Sequence, residues 1–196
     1  RAAAFYNDPD RFVALPAYEW TLSAPGMGIT DHVPPGSGHR NVIFPSDEEA
    51  AKAINEARVI YHCRAEGSDR CDRLWQTLRA RGIRAITIPH HPVIEHPMSW
   101  EFNDPDIETV VEIFQCRGSA EYPGCPAEGK HVTPFEGCYV SDALARGYKL
   151  GFIASGDHNF MGLGVAAVYV KEVSPEGVFE ALQARRCYGT MGDRIF

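Results

Sequence analysis

Asp157 and His158, in the run Ser155-Gly156-Asp157-His158-Asn159, directly follow the short apolar run Gly151-Phe152-Ile153-Ala154. A carboxylate and an imidazole therefore stand at the mouth of a predicted buried strand, where α/β enzymes gather their ligands. Three further groups have the same character: Tyr18-Glu19-Trp20, Gly38-His39-Arg40-Asn41 and Pro89-His90-His91-Pro92. Three of the four groups close a β-like run, and the one at His39 opens one. Carboxylates and imidazoles brought together from several strands make a hard-metal or zinc site. Such mixed ligation suits zinc, manganese or iron better than calcium or a purely oxygen-bound magnesium. These ions polarise a phosphoryl or carbonyl oxygen and bring the pKa of a water towards neutrality, so hydrolysis is the chemistry that follows.

Glu19 ends an apolar strand between two aromatic residues. If it faces the same side as His90 and Asp157, an unpaired carboxylate there is costly and a cation relieves the cost. The alternative is an exposed glutamate on an edge strand. His90 and His91 are adjacent, so on an extended backbone they point to opposite sides, and His90 is the one expected to ligate. Pro89 and Pro92 stiffen the turn around it. Glu112, inside the apolar run Val110-Val111-Glu112-Ile113-Phe114, either holds a ligating histidine or faces outward. No G-x-S-x-G elbow, P-loop or G-x-G-x-x-G sequence is present, so serine-hydrolase, NTPase and dinucleotide-binding readings have no motif to stand on.

The elements that must position these residues are legible as alternating runs. Arg11 to Trp20 reads as extended and residues 22–39, rich in Gly and Pro, as a loop; Asn41 to Phe44 reads as a short strand. Ser46-Asp47-Glu48-Glu49 opens a helix, and Ser68 or Asp69 can cap a second one through Arg81 that Gly82 stops. Cys71, Leu74, Trp75 and Leu78 fall on one face of that helix. Strands are expected at Ile83 to Ile88, running to His90, and at Glu108 to Phe114, 151–155 and Val165 to Val170. Short helices are expected from Ser141 to Arg146 and after Ser174-Pro175-Glu176. Residues 116–138 form an irregular insertion that could cover the site as a lid, offering Arg117, Ser119, Glu121, Tyr122 and Lys130 to a substrate. Strands alternating with helices predict a mostly parallel sheet or barrel, in one domain over residues 1–196.

A net charge of −7 and a pI near 5.6, with no long Lys/Arg cluster, argue against nucleic acid as a partner. A small anionic substrate is compatible with that charge, because a metal supplies positive charge locally. No apolar stretch approaches the ~20 residues that span a bilayer. The chain opens on Arg1, which suggests a trimmed or partial chain. None of its six cysteines forms a C-x-x-C pair. Those at the loops could close disulfides in an oxidising compartment, favouring a periplasmic or secreted location, or stand as free half-buried thiols. Oligomeric state leaves no mark in the sequence.

The ordered set Tyr18-Glu19-Trp20-Thr21, His39 to Phe44, Ile88-Pro89-His90-His91-Pro92, Val111 to Gln115 and Ala154-Ser155-Gly156-Asp157-His158 resembles the PHP (polymerase and histidinol phosphatase) superfamily, closest to a large bacterial branch of unassigned function. The tail from Phe179 to Thr190 is similar to that branch's closing helix and strand. The resemblance implies an α/β fold, a distorted β/α barrel that is incomplete in this chain. It also implies a centre of two or three zinc, manganese or iron ions and metal-dependent phosphoester hydrolysis. By position, Glu19, His39, His90, Asp157 and His158 would be metal ligands, Asp157 and His158 also acting in catalysis. Arg40, beside a ligand, and Arg117, in the insertion, would contact the substrate. The superfamily's opening H-x-H motif is not among these 196 residues, and the closing motif, commonly D-x-H, here lacks its spacer. A fragment of a longer phosphoesterase-like hydrolase fits the first departure; a non-catalytic binding or scaffold module with a degraded centre is the alternative.

Overall fold

The runs of β-branched and aromatic residues become strands close to where the sequence places them, and it is the direction of their pairing that sets the architecture. The computed structural model describes residues 2–8, 10–22, 33, 35–55, 70–93, 97–126, 135–157 and 164–191. A short helix α1 (Ala2–Tyr6) precedes strands β1 (Ala17–Leu22) and β2 (Gly38–Ile43). Helices α2 (Asp47–Asn55) and α3 (Cys71–Ala80) lead to β3 (Ile86–His90). Then come β4 (Val110–Gln115), β5 (Gly118–Ser119), α4 (Val140–Ala145) and β6 (Gly151–Ser155). The hairpin-like pair β7 (Val165–Val168) and β8 (Cys187–Thr190) flanks α5 (Pro175–Gln183).

The expected β/α barrel is not what these strands build. They lie in three small sheets, ordered β1-β2-β3, β5-β4-β6 and β7-β8, and no closed barrel is present among the described residues. Antiparallel pairing dominates: β1 with β2, β2 with β3, β4 with β5 and β7 with β8. Among the described residues the one parallel pair is β4 with β6, which has α4 in its connection. Helix–strand alternation specifies element type and not strand direction. Among the described residues two helices, α2 and α3, lie between β2 and β3.

Three buried clusters hold the sheets. Trp20, Val42 and Phe44 pack against Leu74, Trp75 and Leu78 of α3, the face that periodicity marks out. Helix α3 ends where Gly82 takes a left-handed φ of 61°, and its N-cap is Arg70, without a side-chain cap. Ser68 and Asp69, the expected caps, lie outside the described residues. A second cluster joins Met98, Trp100 and Val111 to Tyr139 and Val140 of the α4 region. The third ties Ile86 and Ile88 of β3, Val110 of β4 and Ile153 of β6 to Phe179 and Leu182 of α5. Each such side chain contributes roughly 1.5–3 kcal/mol on burial. Ser174 caps α5 by accepting from the Gly177 N–H at 3.1 Å, with Pro175 in its first turn. This cluster fixes β3, β4 and β6 relative to one another, so the ends of those strands are set by core packing.

The 116–138 insertion is partly regular: β5 pairs with β4, and Ser119, Cys125 and Cys138 are buried. Lys130 and residues 127–134 around it lie outside the described residues. Among the described residues the five cysteines Cys71, Cys116, Cys125, Cys138 and Cys187 are free. No helix among those residues is long and apolar enough to cross a membrane.

Candidate metal centre

Antiparallel register brings the first three groups onto one face. His39 sits opposite His90, and Thr21 opposite His39, so Glu19, two residues along β1, is the diagonal neighbour of His39. The carboxylate Oε1 of Glu19 contacts His39 Nδ1 directly. β3 is an edge strand of its sheet, which lets it carry Pro89 without losing a ladder bond it needs.

On an extended strand His90 alone would face the site, but the backbone turns at the next residue and brings His91 beside it. His91 has a φ of 34°, in the left-handed region, so the alternation of an extended strand stops at His90. The two rings then lie on one side, their centroids 4.2 Å apart, with His39 4.8 Å from His91. A single ligand atom from each of Glu19, His90 and His91 lies within 4.8 Å of the other two. A strained φ at a non-glycine residue costs on the order of 1–3 kcal/mol and is characteristic of functional sites. Asp157, at a φ of 54°, is a second such residue at the same site.

Behind this group stands Glu112, 2% exposed. Its Oε2 accepts from His90 Nδ1 at 3.0 Å and from the Ser155 hydroxyl at 2.5 Å, and its Oε1 accepts from the His91 N–H at 3.0 Å. One carboxylate thus orients one ring and the backbone of the next residue. With the proton on Nδ1, His90 presents Nε2 to the site, the outer-sphere arrangement typical of ligating histidines. Burial by itself lowers the His90 pKa, but the hydrogen bond to and charge of Glu112, with Asp157 and Glu19 nearby, raise it on balance. For Glu112 burial pushes upward, while His90, Ser155 and the His91 N–H pull the carboxyl below its ordinary value.

Asp157, two residues beyond β6, reaches the same place from the parallel pair. Its Oδ2 lies 3.6 Å from His90 Nε2, accepts from Gln115 Nε2 at 3.0 Å and pairs with Arg117 Nη1 at 3.0 Å. Gly164 packs against the end of β6, where a Cβ would come within 2.2 Å of the Ser155 carbonyl oxygen. His158 lies outside the described residues.

The structure therefore gathers Glu19, His39, His90 and Asp157, turns Glu112 inward onto His90, the first of the two placements open to it, and adds His91, Ser155 and Gln115. The last two carry a faint sequence signal, as polar residues at the ends of apolar strands. Arg117 reaches the site through Asp157. Arg40, expected at the substrate, is turned the other way: strand alternation sends it to the opposite face from His39, where it is fully buried. Its Nε donates to Glu108 Oε2 at 2.6 Å and its Nη1 to the Ser37 carbonyl at 3.1 Å. The guanidinium lies 5.7 Å from the ring centroids of both Trp20 and Trp75.

A family model described as "Protein of unknown function (DUF3604)" matches residues 1–136. A Chlamydia trachomatis protein called "Uncharacterized protein" is 26% identical over 218 residues, covering all of this chain and 31% of that protein. A Chlamydia pneumoniae relative is 30% identical over 209 residues, covering 97% of the chain and 30% of its own length. The chain thus spans under a third of the length of these curated relatives. No solved structure matches it.

Proposed function

The chain belongs to the DUF3604 family, and we propose that it builds a divalent-metal centre of a hydrolase acting on a small anionic substrate, most simply a phosphoester. The observation that carries this reading is the convergence of Glu19, His90 and His91 ligand atoms within 4.8 Å of one another. Two imidazoles and a carboxylate suit zinc, manganese or iron. Donors bonded to one ion at ~2.1 Å sit within about 4.2 Å of each other, so the three need close only slightly. The motif order that resembles the PHP superfamily supports the same reading, as does the orienting contact of Glu112 on His90. Two or three ions in the whole protein, with His39, Asp157 and His158 as further ligands, belong to this proposal.

A divalent ion there would supply Lewis acidity at the scissile group and a water acidic enough to attack at neutral pH. The chain's own residues do the rest. Glu112 keeps the proton on His90 Nδ1 and so keeps Nε2 available. Asp157, 3% exposed and held by Gln115, brings a carboxylate oxygen to 3.6 Å from His90 Nε2, where it would help hold the ion. Arg117 brings a guanidinium to the rim, the group best shaped for a phosphate.

Metal content and phosphatase and phosphodiesterase assays, on this chain and on a full-length relative, test the proposal. Loss of hydrolysis is expected on replacing Asp157 and His158 together, and activity that survives would sink it. A second reading, a binding module with a degraded centre, is favoured by one observation. Each carboxylate of the group already has a basic partner in the protein: Glu19 has His39, Glu112 has His90 and Asp157 has Arg117. It predicts no bound transition metal even in the complete protein.

A further inference from the structure

Three groups of positive or donor character converge on one oxygen. Asp157 Oδ2 receives Gln115 Nε2 at 3.0 Å, stands 3.0 Å from Arg117 Nη1 and lies 3.6 Å from His90 Nε2. The Gln115 contact has hydrogen-bond geometry, whereas Arg117 Nη1 is buried and makes no hydrogen bond. That nitrogen thus meets Asp157 by charge and not by a hydrogen bond. Its place is nonetheless built: the Arg117 N–H donates to Gln115 Oε1 at 3.2 Å, so the glutamine that grips Asp157 also fixes the backbone that carries the arginine. The side chain keeps 27% of its surface exposed, so it stands at the rim of the site and not in the core.

From this we infer that Arg117 is an exchangeable counter-cation: it neutralises Asp157 until a divalent ion takes Oδ2, and is then released to bind the anionic group of the substrate. The inference rests on the metal centre proposed above and deepens it by making substrate binding conditional on metal. A metal and Arg117 compete for one carboxylate oxygen, so each disfavours the other there. Once displaced, the guanidinium regains its fork of donors beside the ion, where an oxyanion such as a phosphate can span both. Without metal, the same arginine stays engaged and the site has little hold on an anion.

Calorimetric titration of the metal-stripped 196-residue chain with Mn2+, then with inorganic phosphate, reads both halves of the exchange. In wild type, phosphate binds measurably only after Mn2+. Arg117→Met keeps the apolar stem and removes the competing charge, so Mn2+ is expected to bind roughly fivefold more tightly, the scale of a partly exposed ion pair. In the same variant phosphate on the Mn2+-loaded protein is expected to weaken by about tenfold or more, the scale of a lost charged hydrogen bond. Arg117→Lys, which keeps the charge but not the fork, falls between wild type and methionine on both axes and guards against a folding defect. Mn2+ affinity that is unchanged or weaker in Arg117→Met, with wild type still binding the ion, overturns this inference alone. Wild type that takes no Mn2+ overturns the metal centre and this inference with it.

Discussion

At the scale of single residues, the titrations of His90 and Glu112 favour the metal-free fold in one pH range and would favour an ion at His90 in another. The folded His90 pKa is raised, so its contribution to stability is complete below the ordinary value of 6.5 and fades as pH rises through the folded value. The folded Glu112 pKa is lowered, so its contribution is complete above the ordinary 4.5 and fades as pH falls through the folded value. Both contributions are whole only between those two values. Denaturant unfolding of the metal-free chain is therefore expected to show greater stability near pH ~5.5 than near pH ~8 from this pair. Metal affinity runs the other way, rising with pH as Nε2 loses its proton, and titration across the same range checks the crossing. Glu112→Gln, which removes the carboxylate that orients His90, is expected to weaken metal binding by about 10–100-fold. His91 gives a cleaner separation. Asparagine tolerates left-handed backbone, so His91→Asn should abolish most metal affinity while shifting metal-free stability by no more than about 1 kcal/mol.

At the scale of elements, β2 does two jobs with alternate residues. His39 faces the centre, and Arg40 locks the strand from behind through Glu108, Ser37 and the two tryptophans. Because both partners are fully buried, Arg40→Met alone leaves a stranded Glu108 carboxylate and is expected to cost roughly 3–5 kcal/mol. Arg40→Met with Glu108→Leu removes both charges and should recover much of that loss in urea unfolding; full additivity of the single losses would contradict the pairing. The strand also shows why sequence reading went only so far. The apolar face of α3, the Ser174 and Pro175 start of α5 and the span of β6 were legible because capping and 3.6-residue periodicity are local. Arg40 shows the limit of adjacency, because the neighbour of His39 in sequence lies on the opposite face of the strand. His91 shows another limit, because extended alternation does not carry across a residue whose backbone is left-handed. Strand direction was missed for a third reason: it is fixed by which cores the strands join, as β3, β4 and β6 are joined by Phe179 and Leu182, and no local pattern encodes that.

For the whole molecule, the centre is assembled from parts far apart in sequence, with Glu19 and Asp157 at the two extremes of the described site. The β1-β2-β3 and β5-β4-β6 sheets meet there, and the buried clusters that pack them carry the stability. Binding a divalent ion only in the folded state must therefore stabilise the chain as a unit, by about 2.7 kcal/mol at a concentration of 100 Kd. The net charge of −7 favours cations over anions around the molecule, so an anion held at this site would need positive charge supplied locally. The central claim is that Glu19, His90 and His91 share an ion. It is met most directly by anomalous diffraction at the manganese edge from crystals of the chain grown with Mn2+. An anomalous peak within bonding distance of Glu19, of His90 Nε2 and of His91 is the predicted result; a chain without such a peak, or with one only at other residues, would contradict the account.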